Sequence, residues 1–189
     1  MAKSRRRARE LALRALYEMD ITRVNPDKVL QDAVEGQELH FEQRQYAERV
    51  VRGFHEHSNY IDQTLAERIK DYDYSRIAAI DRAILRIAAY ELFFEPAIPP
   101  AVTLNEAIEI AKKYSTAESG KFVNGVLGRV LADSEKANWD PSTAPLEEEP
   151  EEVVQIEELP DIEEIEVEAD SEEARSVARL AGWKLRTED

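Results

Sequence analysis

Residues 77–92, Ile77-Ala78-Ala79-Ile80-Asp81-Arg82-Ala83-Ile84-Leu85-Arg86-Ile87-Ala88-Ala89-Tyr90-Glu91-Leu92, decide the fold class. Ile77, Ile80, Ile84, Ile87, Ala88 and Leu92 recur at three- and four-residue steps, the period of one helix face and not the alternation of a strand. This is the most apolar of the helical runs, so it is expected at the centre of the core. Pro96, Pro99 and Pro100 end it, because proline lacks the backbone donor and clashes with the preceding turn.

The same period extends in both directions. Ala8, Leu11, Ala12, Ala15, Leu16 and Met19 predict an amphipathic helix over about residues 4–20. Asn25-Pro26 interrupts it, and Pro26 suits the first position of a second helix carrying Val29, Leu30, Ala33 and Val34, closed at Gly36. A third helix is read through Tyr46, Val50 and Phe54, and a fourth through Ile61, Leu65 and Ile69 after a polar start at Ser58-Asn59. Beyond the prolines, Thr103 and Glu106 have capping-box spacing and open a helix through Ala107, Ile108, Ala111 and Tyr114. The last helix starts near Glu118 and carries Phe122, Val126, Leu127, Val130 and Leu131 on one stripe. The class is all-α, with about seven helices and no convincing strand. Arg76-Ile77-Ala78-Ala79 returns as Arg86-Ile87-Ala88-Ala89, a single echo too short for a repeat architecture.

The formal net charge of −15 would argue against nucleic acid if it were evenly spread. It is not: residues 1–139 hold 21 Lys+Arg against 22 Asp+Glu, whereas residues 140–189 hold 4 against 18. The chain therefore divides into a helical domain over 1–139 and an acidic tail over 140–189. Pro141, Pro145, Pro150 and Pro160 and the glutamate runs give the tail a composition expected to stay mostly disordered. A short helix is possible near 171–186, through Val177, Leu180, Ala181 and Trp183. The tail reads as a solubilising extension, or as a carboxylate mimic that competes with RNA for basic side chains.

There is no cysteine, so disulfides and thiolate metal sites are excluded. No apolar run is long enough for a signal peptide or a membrane span, and the chain is read as cytoplasmic with no membrane association. His55 and His57 are two residues apart and fall on different helix faces, so they and His40 read as solvated side chains and not as metal ligands. Gly120, Gly125 and Gly128 lack the strand and the Lys-Ser or Lys-Thr of a phosphate loop, and read as aids to close helix packing or capping. No catalytic constellation and no cofactor motif is present.

Residues 1–14 differ from the rest, with Lys3, Arg5, Arg6, Arg7, Arg9 and Arg14 against Glu10 alone. Arg5, Arg6, Arg7 and Arg9 crowd forked donors suited to phosphates into about one helical turn. A merely solvated N-terminus is the alternative. Lys121 and Phe122 set a charge beside a ring that could stack a base, unless Phe122 belongs to the core.

Three segments together resemble the NusB family: Arg5-Arg6-Arg7-Ala8-Arg9-Glu10 running to Ala15-Leu16-Tyr17, then Ala83 through Leu92, then Asn105-Glu106-Ala107-Ile108-Glu109 through Lys121-Phe122-Val123-Asn124-Gly125-Val126-Leu127. The resemblance covers residues 1 to about 133. It implies two roughly perpendicular helical subdomains, no enzymatic activity and no cofactor. It also implies transcription antitermination on ribosomal RNA operons. There single-stranded boxA-like RNA is bound together with NusE, a ribosomal small-subunit protein, within an antitermination complex on RNA polymerase. Carried over, the RNA surface falls on Arg5, Arg6, Arg7, Arg9, Glu118, Lys121 and Phe122, and the partner side on Tyr90 and Glu91. Glu118 stands where an aspartate is familiar, and Gly128 replaces a frequent acidic residue. With four arginines on phosphates, a log-log salt slope near about −3 is expected. A helical protein-protein adaptor and an RNA-binding module serving a separate rRNA methyltransferase are the alternative readings; this chain has neither the cofactor loop nor the cysteine for methyl transfer.

Overall fold

The computed structural model describes residues 2–34, 40–70 and 72–142. Six α-helices account for most of them: α1 (Ala2–Thr22), α2 (Pro26–Val34), α3 (Phe41–Arg68), α4 (Ala79–Phe94), α5 (Pro100–Tyr114) and α6 (Ala117–Ala132). Single 3-10 turns lie at Tyr74–Arg76 and Glu135–Asn138. No strand occurs among the described residues, as the helical period predicted. The helices pack as two triplets, α1 with α2 and α3, and α4 with α5 and α6, with α4 also against α1 and α3.

The central run behaves as its composition predicts. Ten of the sixteen residues of α4 are buried, among them Ile84, Leu85, Ile87, Ala88 and Leu92. Gly53 on α3 makes close packing with α4 possible, because a Cβ there would lie 2.3 Å from the Tyr90 hydroxyl oxygen. At the C-terminal end of α4, the buried Lys136 ammonium donates to the carbonyl oxygens of Glu91 (2.7 Å), Glu95 (2.5 Å) and Ile98 (2.7 Å), satisfying acceptors that a helix end leaves open. Burial pushes this lysine down to about 8, against the pull of Glu91 and Glu95.

Three boundaries differ from the sequence-based expectation. The third and fourth helices are one, because Ser58 turns its hydroxyl back onto the His55 carbonyl (3.0 Å) and stays inside the helix. Helix α5 begins at Pro100, so Thr103 and Glu106 are not its cap; each bonds to another helix instead. Helix α4 begins at Ala79, after the 3-10 turn, leaving Ile77 outside it. Pro26 opens α2 as expected, with Asn25 Oδ1 accepting from the Asp27 amide at 2.8 Å. Gly36 and the segment 171–186 lie outside the described residues. His57, read as solvated, stacks on Phe94 with ring centroids 4.1 Å apart. Among the described residues, no helix is long and apolar enough to cross a membrane.

Candidate nucleic-acid interface

The arginine-rich turn of α1 does not act as a unit. Arg7 is exposed, and Arg5 and Arg6 are partly so. Arg6 forms a forked pair with Glu106 of α5, Nε to Oε2 at 2.8 Å and Nη2 to Oε1 at 2.7 Å, while keeping 43% of its side chain exposed. Glu106 is held below the usual carboxylate range by that hydrogen bond.

Arg9 is in the interior, with 3% of its side chain exposed, and bonds through Nε (2.7 Å) and Nη2 (3.0 Å) to the two oxygens of Glu91. The Tyr46 hydroxyl and Thr103 Oγ1 also donate to Glu91, the latter at 2.7 Å, so the carboxylate is fully engaged. Burial alone would favour a neutral Arg9, but the Glu91 charge and its hydrogen bonds reverse this and raise the guanidinium above its ordinary value. Tyr46 is raised as well, first by burial and then by Glu91. The placement of Arg9 on a phosphate-binding surface is thus corrected: it joins α1 to α4 and cannot reach a ligand without opening the core. The partner-side assignment is corrected too, since Glu91 and Tyr90 are both buried within the chain.

The second cluster lies at the start of α6 and on the connection that follows α3. Thr116 caps α6, its hydroxyl accepting from the Ser119 amide at 3.0 Å, and Glu118 lies exposed in the first turn, where the helix dipole favours a carboxylate. Lys121 is exposed, and Phe122 is half-buried, packed on the core along one edge. Both readings of Phe122 therefore hold in part, because its other edge faces Tyr72 at a centroid distance of 6.2 Å and an interplanar angle of 90°. Tyr72 is 68% exposed. With Lys70, Lys121 and Gly125, these rings border a hollow of about 190 Å³. Gly125 and Gly128 serve no helix packing, since a Cβ at either would meet nothing within 4 Å. Lys70 and Tyr72 were missed in the sequence, although a Lys-Asp-Tyr-Asp-Tyr run between helices, rich in charge and aromatics, was a signal to be had.

A sequence model of the NusB family matches residues 6–132, from the arginine turn of α1 to the end of α6. The chain belongs to the NusB family. The transcription antitermination protein NusB of Symbiobacterium thermophilum is 42% identical over 136 residues, covering 68% of this chain and 89% of that protein. That of Trichlorobacter lovleyi is 44% identical over 139 residues, covering 72% and 98%. Among solved NusB structures, that of T. maritima superposes with a TM-score of 0.65 at 37% identity, covering 69% of this chain and 92% of its own. A structure of antitermination factors NusB and NusE in complex with dsRNA gives a TM-score of 0.64 at 28% identity, covering 69% and 98%. The NusB match ends before residue 133, so the acidic tail has no part in it.

Proposed function

We propose that this chain is a non-enzymatic, cytoplasmic antitermination factor. It binds single-stranded boxA-like RNA of ribosomal RNA operons together with NusE, and so helps to assemble the antitermination complex on RNA polymerase. The observation that carries the reading is the Tyr72–Phe122 ring pair flanked by Lys70 and Lys121. Aromatic faces beside ammonium groups are what an unpaired nucleotide needs, a stacking surface for the base and a charge for its phosphate. Arg5, Arg6 and Arg7 supply a second phosphate-binding cluster, and Glu118 offers acceptors to exocyclic amines of bases. The relative solved with NusE and dsRNA supports RNA and NusE as partners.

Removing Arg9 from the cluster leaves Arg5, Arg6 and Arg7, whose share of the log-log salt slope is about −2 at about 0.7 per phosphate on a single strand. Fluorescence anisotropy with a boxA-like RNA and a scrambled control, with and without NusE and over a range of salt, tests the reading. Sequence-selective binding, tightened by NusE and with a slope of about −2 or steeper, is expected. A slope near zero, or equal affinity for both RNAs under every condition, would overturn it.

A further inference from the structure

The two basic clusters are separated on α1 and α6, and the C-terminal end of α5 runs between them. Arg6 and Glu10 of α1 are four residues apart and share a face; Glu106 and Lys113 of α5 are seven apart and also share one. The pairs Arg6–Glu106 and Lys113–Glu10, the latter at 2.8 Å, therefore line one α1–α5 seam and place the Lys113 ammonium one turn along from the arginines. Lys112 is offset by one residue and points round the helix toward α6. Its stem lies across Gly120, where a Cβ would come within 3.1 Å of Lys112 Cγ, and the next residue of α6 is Lys121.

We propose that Lys112 and Lys113 are phosphate-binding residues that join the arginine turn of α1 to the Tyr72–Phe122 hollow, so that a single RNA strand follows one track across α1, α5 and α6. The assignment rests on the reading of the chain as a single-strand RNA binder. Both lysines are more than half exposed; of their carboxylate partners, Glu109 for Lys112 is half exposed and Glu10 for Lys113 is partly buried, with 21% of its side chain exposed. An incoming phosphate can exchange with such a carboxylate, since an exposed ion pair is weakly held and screened by salt. An ammonium is also a compact charge with no preferred fork geometry, which suits a backbone that passes over without fixed register. Gly120 is the device that keeps the track open, because a side chain there would push the Lys112 stem aside.

The test uses the full chain and a twelve-nucleotide single-stranded boxA-like RNA, with anisotropy read over a range of salt. Lys112→Ala and Lys113→Ala together are expected to lower affinity roughly tenfold and to reduce the slope by about 1.4, twice the single-phosphate share. Gly120→Ala should give a smaller loss in the same direction. Lys28→Ala, a charge removed from the exposed face of α2, should leave affinity unchanged. Unaltered affinity and slope in the double variant, with the wild-type chain binding normally, would overturn the assignment and leave the RNA reading standing. So would an equal loss from Lys28→Ala, which would make the effect one of net charge. Absence of RNA binding by the wild-type chain would overturn the RNA reading itself, and this assignment with it.

Discussion

Arg6 and Arg9 are three residues apart on α1, and each grips a glutamate through two nitrogens, yet the two pairs do opposite things. Arg6 and Glu106 meet at the edge of the helix pair, where water and salt compete and a phosphate can take the place of the carboxylate. Arg9 and Glu91 meet inside, where neither charge has water to fall back on and where Tyr46 and Thr103 complete the carboxylate's hydrogen bonds. The comparison teaches that burial, and not residue type or position in an arginine-rich run, decides whether a guanidinium is available to RNA. It also ties the two roles together: the interior pair fixes α1 on α4 and so sets where the exposed arginines stand.

The comparison breaks most visibly at Arg9. Arg9→Met leaves Glu91 charged and buried without its counter-ion and is expected to cost about 3–5 kcal/mol of folding free energy, read by urea unfolding. Adding Glu91→Gln, which removes the orphaned charge and keeps an oxygen for one of the Tyr46 and Thr103 hydroxyls while the other can accept from the amide NH2, should recover part of that loss; no recovery would mean that the pair is not the cause. Tyr72→Ala comes next and moves the other observable. It should weaken RNA binding by about 1–3 kcal/mol, the worth of one stacked base. The unfolding midpoint should stay in place, because the ring is 68% exposed. Arg6→Ala should cost at most about 1 kcal/mol in stability while flattening the RNA salt slope by about 0.7.

The smallest effect is in acid. Burial pushes the Asp20 carboxyl up, but hydrogen bonds from Arg82 and Arg86 outweigh it and leave it below its ordinary 3.8. The unfolded chain then takes up a proton before the folded one does, so the stabilisation is whole above the ordinary carboxylate range and fades as pH falls through 3.8 toward the lowered folded value. Asp20→Asn should shallow that acid limb in a pH series of unfolding curves. An unchanged limb would assign the acid sensitivity elsewhere.

Much of the fold was legible because helices with an apolar face announce themselves by period. Ile84, Ile87 and Leu92 pointed to the central helix, and Pro26 to the start of α2. What was not legible depended on partners far along the chain. Ser58-Asn59 reads as a break until its hydroxyl is seen to find the His55 carbonyl. Thr103 and Glu106 read as a cap until Glu91 and Arg6 are seen to claim them. Arg9 could have been caught: it is three, four and seven residues from the buried Ala12, Leu13 and Leu16, and Glu91 is three, four and seven after the buried Ala88, Ile87 and Ile84. Opposite charges on two apolar stripes are a sign of an interior pair. The Tyr72–Phe122 contact joins a short connection to α6 across some fifty residues, and no local pattern encodes it.

The most direct measurement is an NMR titration of the arginine Nε–Hε signals with a boxA-like RNA. The account predicts that the Arg6 signal, with those of Arg5 and Arg7, shifts and saturates as RNA is added, while the Arg9 signal stays protected from solvent and does not move. A shift of Arg9 equal to that of Arg6, or no shift of any of the four at saturating RNA, would contradict it.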